Sequence, residues 1–324
     1  MHTWYNGNME MYIGYQSALE YWRVHLALPN NSIRQRRINT LPKKPPPTEQ
    51  VKFSELSFPV HIMLSNPKNR WTSKMMKQHM FSGEVPSGCF IYINGMFAVS
   101  SPEFCFIQMA GKLPLFKLIE LGYELCGTYS LPIAGDTEIP DRGFHIRPQM
   151  TSVKKLSSFA ANITGVKGQN AAVAKRALQY IIDGSASPME TKLSMLMTLP
   201  YKLGGFGLLK PKMNVRITPS KTNRRSSSKA FYTCDLFWPD HNLAVEYDSD
   251  QFHTGSEHIT DDSKKRNSLT LMGVRVITVT TKQLYDMGDF EKVVGVVAKC
   301  LNKRLVFKNP GFTIAHRELR NQLL

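Results

Sequence analysis

The chain has 324 residues, of which 42% are hydrophobic, with a formal net charge of +16 and a pI near 9.6. That length and composition fit a folded chain of two domains and exclude a disordered one, and no apolar run approaches the ~20 residues of a membrane span. The first eight residues lack the basic-then-apolar layout of a secretory signal, so the expected compartment is the cytoplasm, with no membrane contact. Over residues 185–324, 21 Lys and Arg face 13 Asp and Glu, leaving +8, half of the total. An excess spread over the whole chain favours polyanions, nucleic acid first, although a basic surface with no specific partner has the same composition. The cysteines are Cys89, Cys105, Cys126, Cys234 and Cys300. An odd count, wide spacing and no CxxC argue against a disulfide framework or a zinc knuckle.

In chain order, Tyr12, Tyr15, Leu19, Trp22 and Leu26 recur at helical spacing over residues 11–27. A basic connector follows, with Arg34, Arg36, Arg37, Lys43, Lys44 and three consecutive prolines. Residues 58–64 and 89–99 read as strands, the second folded back at Asn94-Gly95. Ser101, Pro102 and Glu103 read as N-cap, N1 proline and first-turn acid of a helix reaching about residue 126, broken near Gly111 to Pro114. His61 and His79 have no metal-ligand spacing and are expected to make ordinary polar contacts. Met75, Met76 and Met80 are expected in the core. Prolines and glycines over 132–151 place the domain boundary there, giving domains 1–150 and 151–324. Residues 152–183 read as helical.

Ser187, Pro188 and Glu190 then form a capping-box pattern. A strand is expected near Asn214 to Thr218. The loop from Ser220 to Lys229 carries Lys221, Arg224, Arg225 and Lys229 among serines. Two apolar runs, Phe231 to Trp238 and Leu243 to Tyr247, flank Pro239-Asp240-His241-Asn242 and read as a β-hairpin. A helix over Ser256 to Met272, a strand over Val274 to Val279, one long helix from Lys282 to Leu305 and a short basic tail complete the chain. The C-terminal order is helix, strand, strand, strand, helix, strand, helix. The expected class is α/β, or α+β overall with a separate N-terminal α+β domain.

The hairpin holds the chemistry. Asp235 interrupts its first apolar run, and Glu246 and Asp248 close its second. Strands disfavour Asp, and an unpaired buried carboxylate costs several kcal/mol or becomes neutral. A divalent cation such as Mg²⁺ or Mn²⁺ is the simplest compensation: it takes one or two carboxylates and keeps several waters. Glu190 joins as a third acid or acts only as a helix cap. Asp248 binds metal or caps the turn at Ser249-Asp250. His253 is a proton acceptor or a plain strand-end histidine. Asp262 contributes to the site or pairs with Lys265 or Arg266 one turn on. Trp238 stacks on a base or fills the core.

The ordered set Glu190, Asp235, Glu246-Tyr247-Asp248, His253, Asp262, Lys265, Leu269 and Gly273 resembles the PD-(D/E)XK nuclease superfamily. Within it, the set is most similar to the branch around very-short-patch-repair endonucleases. The resemblance covers roughly 180–305. It implies a restriction-endonuclease-like αβββαβ core and Mg²⁺-dependent hydrolysis of phosphodiester bonds in DNA. Glu190, Asp235 and Glu246 would be metal ligands, and Asp235, Glu246, Asp248, His253 and Lys265 the catalytic set. Lys221, Arg224, Arg225, Lys229 and Arg266 would contact DNA. One departure stands out: Asp248 replaces the superfamily's lysine two residues after the Glu, so His253 or a cation from the next helix must serve instead. The replacement equally suits a catalytically inactive nucleic-acid-binding regulator. Ser101 to Cys105 through Glu124 to Gly127 resembles bacterial proteins linked to abortive-infection antitoxins. That implies a regulatory or DNA-docking module, a defence or toxin–antitoxin context and a partner protein there.

Overall fold

The computed structural model describes residues 11–26, 41–46, 56–65, 73–81, 85–93, 97–163, 168–219, 230–249, 256–305 and 310–324. The chain forms two compact units, Met1–Ile181 and Ile182–Leu324. Both mix helices with strands.

In the first unit, strands β1 (Met11–Ile13), β2 (Val60–Leu64), β3 (Met76–Met80), β4 (Phe90–Tyr92) and β5 (Phe97–Ser100) form one sheet in the order β3-β2-β1-β5-β4. β1 runs parallel to β5 and antiparallel to β2, β2 is parallel to β3, and β4 is antiparallel to β5. The hairpin expected at 89–99 therefore pairs as anticipated, while its Asn94-Gly95 tip lies outside the described residues. So do Arg34, Arg36 and Arg37. The stretch read as one helix from residue 11 divides into β1 and α1 (Tyr15–Val24).

Helix α2 (Pro102–Ala110) begins where the residues demand: Ser101 Oγ accepts from Phe104 N–H and Pro102 opens the first turn. The break before α3 (Leu115–Leu125) falls at the predicted place. β6 (Tyr129–Ser130) and β7 (His145–Ile146) form a separate ladder. The division between units falls about 30 residues beyond the expected boundary at 150. Helices α4 (Val153–Asn162) and α5 (Gly168–Leu178) pack on α2 and α3, burying Leu156, Ala160, Ala174 and Leu178. The Pro/Gly-rich stretch is tied into this unit by Arg147, which is buried and donates to the carbonyls of Trp22, Glu124 and Tyr129. Turn-rich composition marked a change of direction and not a domain edge.

In the second unit, α6 (Pro188–Thr198) precedes strands β8 (Lys212–Ile217), β9 (Tyr232–Trp238) and β10 (Leu243–Asp248). Helix α7 (Ser256–Leu271) crosses to β11 (Arg275–Thr280), which lies parallel to β10. The sheet order is β11-β10-β9-β8, with the other pairs antiparallel. The expected long helix is two, α8 (Thr281–Tyr285) and α9 (Met287–Cys300), because Asp286 caps the second by accepting from Asp289 N–H at 2.7 Å. The predicted tail contains helix α10 (Pro310–Leu323), which buries Phe312, His316, Leu319 and Leu323. α10 seats against Gly204, where a Cβ would lie 2.2 Å from Ala315 O. Among the described residues no helix is long and apolar enough to cross a membrane. All five cysteines are free, and four are buried.

Candidate active site

β9 and β10 form the predicted hairpin, with Trp238 opposite Leu243 and Val245 opposite Leu236. Pro239–His241 makes a single 3₁₀ turn, closed by Asn242 at φ 45°, a conformation that Asn tolerates. Trp238 is buried and donates Nε1–H to Leu209 O at 2.8 Å, which makes it a core residue.

Side chains of a regular strand alternate between faces. Cys234 and Phe237 are three apart, yet both pack in one apolar cluster with Ala244, Leu269 and Val274. The alternation therefore slips at Leu236 or Asp235. β8 carries the matching irregularity: Met213 pairs with Leu236 and Val215 with Cys234, while Asn214 between them has φ 50°. Beside this kink, Asp235 Oδ2 accepts the backbone N–H of Tyr247 at 2.8 Å, next to Glu246. An acid that a flat strand would bury unsatisfied gains a donor from the neighbouring strand.

Asp235, Glu246, Tyr247, Asp248, Lys265, Arg266, Leu269, Val276 and Thr278 line one cavity of about 220 Å³. Lys265, half-buried on α7, donates to Glu246 Oε2 at 2.6 Å. Arg266 reaches Thr278 Oγ1 at 3.4 Å. On the other side of Asp235, Glu190 Oε2 accepts from Ala186 N–H at 2.9 Å and from Asn214 Nδ2 at 2.6 Å. Ser187 Oγ accepts from Glu190 N–H at 3.1 Å, the predicted N-cap. Glu190 thus sits beside Asp235 and spends its Oε2 on its own helix entry and on β8.

Four acids, counting Glu190 and Asp248, against Lys265 and Arg266 leave the site short of positive charge. Burial, then the charge of Asp235, pushes the Glu246 carboxyl up to about 7, against the pull of Lys265. The same two causes, in the same order, push Glu190 up to about 7. Burial also raises Asp235, countered by the Tyr247 N–H and Lys265. Lys265 is held above its ordinary value by Glu246 and then Asp235, which outweigh its own burial. Glu246 Oε1 is buried with no hydrogen-bond partner among the described residues.

This donor set fits a hard divalent ion in one respect and not in another. Asp235 and Glu246 offer two adjacent, partly desolvated carboxylates, which is what Mg²⁺ needs besides water. Of the Glu190 carboxylate, Oε2 is committed to Ala186 and Asn214. Among the described residues no group of three His, Cys, Asp or Glu side chains stands close enough to hold an ion.

Of the predicted residues, Asp235, Glu246, Asp248, Lys265 and Arg266 share the cavity. Glu190 adjoins it. His253, Lys221, Arg224, Arg225 and Lys229 lie outside the described residues, as does the side chain of Asp262. Asn214 and the N–H of Tyr247 were not anticipated. An Asn in a strand opposite an acid is the only sequence signal for the first, and a backbone donor leaves none. Compared with known proteins, the chain matches no family model, no curated protein and no solved structure.

Proposed function

We propose that the second unit is a restriction-endonuclease-like domain that hydrolyses phosphodiester bonds in DNA with Mg²⁺ or Mn²⁺. The observation that supports this best is the meeting of Asp235, Glu246 and Lys265 in one cavity, from three different elements. The order α6, β8, β9, β10, α7, β11 agrees with the resemblance to PD-(D/E)XK nucleases. In this reading Asp235 and Glu246 hold the ion, which supplies Lewis-acid charge and an acidified water. Asp235 is oriented by the Tyr247 N–H, and Glu190 is a helix cap whose negative charge keeps a cation favoured nearby. Lys265 presents its ammonium to the scissile phosphate and so takes over the task of the lysine that Asp248 replaces. Arg266 contacts the backbone at the rim. The resemblance of the N-terminal part to antitoxin-linked proteins supports a role in phage or mobile-element defence.

A second reading is a catalytically inactive nucleic-acid-binding regulator, favoured by the closure of Lys265 on Glu246, which neutralises one acid without any cation. Incubation of the full chain with plasmid and single-stranded DNA, with Mg²⁺, Mn²⁺ or EDTA, separates the two. Metal-dependent cleavage lost in Asp235→Ala supports the nuclease. Equal behaviour of parent and variant rejects it, and calorimetry that detects no Mg²⁺ binding then favours the regulator.

A further inference from the structure

A second cluster of polar side chains lies in the first unit. β2 and β3 are parallel, with His61 opposite Lys77 and Met63 opposite His79. The strand period of two puts these four on one face. His79 Nε2 and His61 Nδ1 are 3.2 Å apart. The ring of Tyr15 stacks on His79 with centroids 3.8 Å apart. Lys112, just after α2, places Nζ 5.9 Å from the centre of the same Tyr15 ring. His61, His79 and Tyr15 are half-exposed, and Lys77 and Lys112 are exposed.

Tyr15 is held in an unfavourable backbone conformation. Its φ is 52°, rare for a bulky residue and costing on the order of 1–3 kcal/mol. α2 fixes it from both sides: Tyr15 N–H donates to Gln108 Oε1 at 2.8 Å, and Cys105 Sγ donates to Tyr15 O at 3.7 Å. Gly14 is pinned too, since a Cβ there would meet Met63 at 3.0 Å. Such strain persists where surroundings over-determine a position, and it clusters at sites that bind something.

The charges that bear on His61 are those of Lys77 and Lys112, both positive; together with burial, the larger cause, they bring its pKa down to about 4. Two imidazole nitrogens 3.2 Å apart would suit a metal ion. Two neighbouring ammonium groups oppose one, and among the described residues there is no third His, Cys, Asp or Glu to complete it. An anion gains from the two ammonium charges and an imidazole N–H, and the Tyr15 ring adds a rigid face on which a base can stack.

We propose that Tyr15, His61, His79, Lys77 and Lys112 form a phosphate-binding site in the first unit, separate from the carboxylate cavity and independent of whether that cavity is catalytic. The same phosphate chemistry is offered by a nucleic-acid strand, a mononucleotide or free phosphate. The test uses the full chain carrying Asp235→Ala, so that no probe is cut. Histidine side chains are ¹⁵N-labelled, and the His61 and His79 resonances are followed at pH 7 as inorganic phosphate, thymidine monophosphate or a 12-nucleotide single strand is added. The expected result is a saturating shift of both imidazoles, lost in Lys77→Gln/Lys112→Gln and retained in Lys77→Arg/Lys112→Arg, with unchanged melting curves. Saturation by the oligonucleotide at far lower phosphate concentration assigns the site to a strand, and its salt slope should then fall by about 0.7 in the Gln variant, the worth of one phosphate on single-stranded DNA. Equal response to all three probes assigns it to free phosphate or nucleotide. No shift with any probe overturns the proposal, and so does a shift produced by Zn²⁺ alone.

Discussion

Each unit buries a carboxylate network, and the two are built on opposite balances of charge. In the first, Glu124 is 1% exposed and fully occupied: Arg23 Nε and Nη2 donate to its two oxygens at 2.8 and 2.7 Å, and Leu131 N–H adds a third bond. Arg147 closes the surrounding carbonyls. In the second, among the described residues Lys265 pairs with Glu246 alone, while Glu190, Asp235 and Glu246 crowd together, and two of the carboxyls are pushed up to about 7. A network whose carboxylate is fully matched by cations holds a fold together. One left negative stores a demand for a cation or protons, and such imbalance marks sites of chemistry more often than sites of structure.

The largest expected break in this comparison is catalytic. Lys265→Met should lower DNA cleavage by about 10²–10³-fold, the usual loss for one preorganised donor to developing charge. Arg23→Leu should leave cleavage per folded molecule unchanged. A kcat measurement on both, normalised to active protein, shows whether the two networks divide labour in this way.

Stability should respond in the reverse sense. Arg23→Leu strands a buried carboxylate and should cost about 3–5 kcal/mol in urea denaturation. Glu246→Gln, which removes one of the crowded charges, should cost nothing at pH 7 in EDTA.

The pH dependence sharpens the contrast. A carboxyl whose pKa is higher in the folded chain than in the unfolded one holds its proton better when folded. Glu246, raised from 4.5 to about 7, therefore adds stability below pH 4.5 that is lost as pH rises to about 7. The loss should be on the order of 2 kcal/mol in metal-free protein, less than the free shift implies because Asp235 titrates with it. Denaturation at stepped pH should show this slope in the parent and a flatter one in Glu246→Gln. Mg²⁺ at 100 times its Kd should restore about 2.7 kcal/mol at pH 7 in the parent and nothing in Asp235→Asn.

The smallest effect concerns the kink. Asn214→Ala removes a donor to Glu190 and forces a left-handed backbone on a residue that avoids it, which should cost about 1–2 kcal/mol. A matching fall in metal affinity would show that the kink in β8 sets the placement of Asp235.

Residue pattern alone located much of this. Ser101-Pro102 and Ser187-Pro188 fixed two helix starts, because a hydroxyl cap and an N1 proline act within four residues. The alternation broken by Asp235 and Glu246 singled out the hairpin, since an acid in an apolar strand needs a partner wherever that strand packs. The expected boundary at 150 was wrong for a complementary reason: the faces of α4 and α5 are apolar, but only packing decides which unit they cover. The tail read as short and basic folds as α10 because Phe312, Leu319 and Leu323 find a core that their spacing could not identify.

What the sequence by itself determined is the inventory: the acids on one hairpin, the cation on the following helix and the caps that start the helices, all set by local backbone and side-chain preferences. Only the tertiary structure decided the partners: that Lys265 meets Glu246, that Asn214 takes up the carboxylate of Glu190, and that Gln108 takes up the N–H of the strained Tyr15. Those contacts join residues from 19 to 93 positions apart, and across such separations only the packing of sheets and helices fixes which charge ends up beside which.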